Sequence, residues 1–120
     1  MHSEIVIFLM GFQQKIRALH WQTTSYPRHK AYGKTYEDLD DLIDNFAEVS
    51  MGKYGRVKFN NATIVINDIG EDSLNDLLNN AIERLNAVTG ELSQTDTDLL
   101  NIRDEMLQAI NQLKYLLTLK

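Results

Sequence analysis

The chain has no cysteine. That excludes disulfides, thiolate nucleophiles, iron–sulfur clusters and Cys-based zinc sites, so any metal would have to be held by imidazole and carboxylate groups. There is a single proline, and its apolar runs are short: the longest, "IVIFLM" at 5 to 10, cannot cross a bilayer. The "MHSE" before it lacks the basic region of a secretory signal, which leads to the expectation of a cytoplasmic protein. Basic residues are in deficit, 12 against 17 acidic, giving a net charge of -5. This is the wrong sign for tracking a phosphate backbone, and no Lys/Arg-rich tail compensates, so weak or absent DNA binding is expected. No nucleophile elbow or phosphate-cradling glycine loop is present, which argues against hydrolase and nucleotide-binding chemistry.

What is present is apolar periodicity on a chain of 120 residues, enough for one domain over 1–120. From 4 to about 22, Ile5, Phe8, Phe12, Ile16 and Leu19 recur at three- and four-residue steps and predict a first helix. Val6, Leu9 and Met10 widen its apolar start beyond one stripe, so a second cover is expected there, most simply a partner subunit. Pro27 and its polar neighbours are expected to end this helix. A second helix over about 29 to 53 carries Leu39, Leu42, Ile43, Phe46 and Val49, stopped by Gly52 and Gly55. Residues 56–69, "RVKFNNATIVINDI", lose helical period and concentrate β-branched types, predicting an extended crossing with one short strand at 62–66.

A third helix from near Ser73 to Gly90 carries Leu74, Leu78, Ala81, Leu85 and Val88. A fourth follows the cap-rich "SQTDTD" and carries Leu99, Ile102, Met106, Ile110, Leu113 and Leu117. Two short connections flanking one long crossover predict an all-α, ferritin-like four-helix bundle with the crossover between the second and third helices.

Two of the three histidines and the only tryptophan fall within ten residues, in "ALHWQTTSYPRH" at 18 to 29. On the second helix Glu37, Asp41, Asp44 and Glu48 step by four, three and four residues and share one face, roughly opposite the apolar stripe. Crowding them costs about 1 kcal/mol, tolerable in a domain stable by roughly 5–15 kcal/mol, so the row alone proves no function. Facing away from its own core, it could serve a ligand only across an interface. Trp21 lies off the core face of the first helix, which also points to self-association.

Residues 19 to 52, "LHWQTTSYPRHKAYGKTYEDLDDLIDNFAEVSMG", resemble the Dps family of mini-ferritins, whose signature runs Leu-His-Trp, a loop, a second His, then an Asp and a Glu four apart. The matching positions are His20, His29, Asp44 and Glu48. The resemblance implies iron binding between two subunits, His from one and carboxylates from the other, with oxidation of ferrous iron. It also implies a homodimer or larger homo-oligomer. Zinc and manganese suit the same donors. Gly33 stands where the family has an acid one turn after the second His, so one tight and one weak metal position are expected. The alternative is a non-catalytic bundle that kept the fold as an interaction module.

Overall fold

The connection between the first two helices is only residues 23–25, which folds them back on each other as a hairpin. The computed structural model describes residues 2–120, arranged as α1 (His2–Gln22), α2 (Tyr26–Tyr54), α3 (Glu71–Glu91) and α4 (Thr97–Leu116). Pro27 does not terminate α1, as expected from its sequence position, but lies in the first turn of α2. Proline has no N–H to lose there and its fixed φ suits a helix start. Ser25 precedes it as N-cap, its hydroxyl accepting from the Arg28 backbone N–H at 3.3 Å. His29 is therefore inside α2 rather than at its margin.

Cross-helix contacts define the direction of every element. Lys53 near the end of α2 reaches Asp98 at the start of α4, at 2.6 Å, and Lys114 on α4 donates to Asn79 on α3 at 3.0 Å. Arg28 in the first turn of α2 pairs with Glu71, the first residue of α3, at 2.7 Å. Helices α2 and α3 thus start at the same end and run parallel, so residues 56–70 must carry the chain along the whole length of the helices. All four helices share one core, in which Ile16, Leu39, Phe46, Leu78, Leu85, Leu99, Met106 and Ile110 are buried. Tyr32, which no apolar stripe singled out, is buried as well. Arg103 is also nearly buried and ties α4 to α3, donating to the Leu85 carbonyl at 2.9 Å and to Thr89 Oγ1 at 2.8 Å.

Residues 56–70 form a strap along α1 that turns at Asn60 and Asn61, both at positive φ, where the Ala62 N–H donates to the Phe59 carbonyl at 2.9 Å. Its Lys58 N–H donates to Ser3 Oγ at 2.9 Å, Ile64 lies over Gly11, and Asp68 accepts from Gln22 Nε2 at 2.6 Å. The strand expected at 62–66 does not form: these residues carry no regular secondary structure among the described residues. A ladder needs a neighbouring strand, and only helices lie beside it. The strap also corrects the expectation about α1: Val6 and Leu9 are buried within the single chain, with Val57 and Ile69 of the strap packed against the same core. No helix among the described residues is long and apolar enough to cross a membrane.

Asp96 stands at the N-cap position of α4, yet its side chain makes no cap bond to that helix. It is instead buried, accepting from Lys53 at 2.8 Å, from the Tyr54 hydroxyl and from the Ser93 N–H at 2.9 Å. The hydrogen bond from the Lys53 ammonium, then that from Tyr54, hold the Asp96 carboxyl at about 2, below its ordinary value of 3.8. A group depressed in the folded state contributes stability that is complete above its unfolded value and lost as pH falls through the folded one. Acid unfolding of the parent should therefore steepen between pH 4 and 2, and Asp96→Asn should flatten that limb while lowering stability at neutral pH. Chemical denaturation across that range measures it; an unchanged acid limb would contradict the assignment.

Candidate functional site

The hairpin corner brings the last turn of α1 against the first turn of α2, and with it His20 against His29. Their rings stack with centroids 3.8 Å apart and planes 15° from parallel. Nδ1 of His20 donates to the His29 carbonyl at 2.6 Å, and Nδ1 of His29 donates to the His20 carbonyl at 2.7 Å. A carbonyl oxygen can only accept, so each Nδ1 carries a proton, and Nε2 is the nitrogen of each ring left without a partner in the chain. Imidazoles oriented in this way, with one nitrogen tied to backbone and the other open, have the form of metal ligands.

Gly33 explains how the rings fit. A Cβ at this position would lie 2.9 Å from His20 Cε1 and 3.2 Å from its Nδ1. The missing acid and the packed histidine are therefore one feature, since any side chain at 33 would displace the His20 ring. A cleft of about 330 Å³ opens beside it, lined by Arg17, His20, Trp21, Gly33, Tyr36 and Glu37. The Arg17 guanidinium lies 4.9 Å from the Trp21 ring and 4.8 Å from the Tyr36 ring, and donates to the Tyr36 hydroxyl at 2.8 Å. Trp21 nevertheless remains 68% exposed.

The four residues singled out from the sequence occupy two places. His20 and His29 meet at the corner, while Asp44 lies 15 residues beyond His29 (44 minus 29), about 22 Å along the helix. Asp44 borders a different hollow, with Val6, Met10, Val57 and Phe59, and Glu48 stands a turn further on. Both are exposed, and neither joins an ion pair among the described residues. No group of three or more His, Asp or Glu side chains able to hold a metal comes together among the described residues of one chain. The acid that shares a cleft with His20 is Glu37, which the sequence placed only in the acidic row. Arg17 was not singled out, although its position one turn before His20 was a signal that could have found it.

Residues 20–117 match a family of unknown function, DUF5856, and the chain belongs to that family. Over 118 residues it is 29% identical to an uncharacterized 14.6 kDa protein in the mobD-ri intergenic region of Enterobacteria phage T4, covering 98% of this chain and 88% of that protein. No solved structure matches the chain.

Proposed function

We propose that this protein is a ferritin-like, Dps-like metal-binding bundle that takes up ferrous iron between two subunits. In this reading His20 and His29 of one subunit face the partner subunit's Asp44 and Glu48. The observation that carries it is the reciprocal pair of imidazole–carbonyl hydrogen bonds, which leaves both Nε2 atoms free and oriented at one corner. The parallel run of α2 and α3, joined by a full-length crossover, supports the bundle assignment. The exposed carboxylate row, separated from the histidines within one chain, is consistent with donors supplied across a two-fold axis.

Iron is the substrate here, and the chain's own groups divide the work of holding it. Two imidazoles supply nitrogen donors through Nε2, and two carboxylates supply negative charge whose crowding a cation relieves. With Gly33 offering no ligand and the Arg17 guanidinium in the cleft beside His20, one cation per site is held tightly and oxidation is slow. Titration of zinc, a redox-silent probe, into metal-free protein is expected to give one tight equivalent per chain. It should also raise the melting temperature, more at neutral pH than at acid pH, because the ligands must be unprotonated. No zinc-dependent shift would end this reading. The same Arg17 and Gly33 geometry favours a second reading, a non-catalytic bundle that keeps the fold as an interaction module, and that result would select it.

A further inference from the structure

Three sides of the bundle are closed by helix against helix: α1 packs on α2, α2 on α4 and α4 on α3. The fourth side, from α3 back to α1, is not closed in that way, and the strap lies along α1 there. A cleft of about 280 Å³ opens at this seam. Its walls are Ile7, Phe8 and Phe12 of α1, Ile64 and Val65 of the strap, and Leu77 of α3. Phe8 and Leu77 are only partly buried within the chain, so apolar surface is left facing the cleft. Gly11 lets the strap settle close to α1, since Ile64 lies 3.7 Å from where a Cβ at 11 would be, and a longer side chain there would enter the cleft.

One charged side chain lines the cleft, Lys15, and the other polar side chains on its wall, Thr63 and Asn80, are neutral. Lys15 is half-buried and joins none of the ion pairs among the described residues. A cation set against apolar walls attracts an anion more strongly than one in open water, because its field is less screened. We propose that this cleft binds a medium-chain fatty acid, with the carboxylate on the Lys15 ammonium and the unbranched tail between Phe8, Phe12, Ile64 and Leu77.

The dimensions select the tail. Ile7, Gly11 and Lys15 follow one another at four-residue steps, so they form one row on α1 with the ammonium at one end. From Ile7 to Lys15 the helix rises about 12 Å, and a cavity of about 150 Å³ takes one benzene, so the cleft suits a chain of roughly ten carbons. Apolar walls with a single placed charge to fix orientation are the usual form of a small-molecule site. The inference stands on the seam alone and does not rest on metal binding, because the cleft shares no residue with the histidine corner or with the hollow beside Asp44.

Decanoate is the probe, and decyltrimethylammonium, with the same tail and the opposite charge, is its control. Titrated below its micelle concentration, decanoate is expected to bind one equivalent per chain by calorimetry and to shift the Gly11 amide resonance to saturation. The cation should bind about tenfold more weakly or worse. Lys15→Met keeps the length of the side chain and removes its charge, and should weaken decanoate by about tenfold or more with the melting temperature unchanged. Gly11→Leu fills the cleft with a better helix former and should abolish binding while helical circular dichroism is retained. Equal affinity for the two probes, no saturable Gly11 shift, or either variant binding decanoate as the parent does overturns the proposal. A parent that ignores decanoate while Gly11→Leu lowers its oligomeric state in light scattering would also overturn it, and would assign the seam to a second copy.

Discussion

Asp44→Asn combined with Glu48→Gln is expected to weaken zinc or ferrous iron binding by about 100-fold or more, since two of the four proposed donors lose their charge at constant shape. The metal-free protein should respond in the opposite sense. Glu37, Asp41, Asp44 and Glu48 are all exposed on one face of α2, and neutralising the last two removes the 41–44 and 44–48 repulsions. Each relieved pair is worth roughly 0.2–0.5 kcal/mol, so the double variant should melt slightly higher without metal and gain nothing when metal is added. Calorimetric titration with parallel melting curves reads both signs. Undiminished zinc affinity would show that the carboxylates are a solvated face and nothing more.

Phe46→Ala is expected to be the most damaging single truncation in the core, at about 3–5 kcal/mol. Phe46 is 1% exposed and sits on α2, which packs against α1 on one side and α4 on the other, so the void has few ways to close. In a domain stable by roughly 5–15 kcal/mol that removes a large fraction of the total and lowers the melting temperature by roughly 10–20 °C. Tyr115→Ala, at a side chain 62% exposed on α4, serves as the comparison, with a change within about 0.5 kcal/mol. Urea unfolding of both variants would test the difference; equal losses would mean that the core is not centred where the structure puts it.

Much of the helical core was legible because burial follows a period that any stripe of Leu, Ile and Phe displays. Ile5, Phe12, Ile16 and Leu19 on α1, and Leu74, Leu78, Leu85 and Val88 on α3, are buried as their spacing predicts. Phe8 belongs to the same stripe and is only partly buried, while Tyr32 carries a polar atom and is almost wholly enclosed. Periodicity ranks faces, not the depth of a given residue, because depth depends on which neighbour arrives. Pro27 misled for a related reason: its missing N–H breaks a helix interior but costs nothing in a first turn, and three residues of register decide between the two.

The donors of the candidate site were also visible as residue types, but their relation was not. His20 and His29 are nine residues apart in sequence (29 minus 20), and only the tight corner at 23–25 brings their rings to 3.8 Å and crosses their bonds to the two backbone carbonyls. The role of Gly33 as the space His20 occupies, the diversion of Asp96 from a cap to Lys53 and Tyr54, and the clamping of Arg17 between two aromatic rings all require side chains from separate elements to meet. By itself the sequence determined four helices, their apolar faces and an extended crossing, because each depends on local period and turn chemistry. Tertiary structure decided that the crossing lies along α1 as an irregular strap, and that one chain keeps the histidines and the acidic row apart. Those are questions of which surfaces face each other, and no local pattern encodes that.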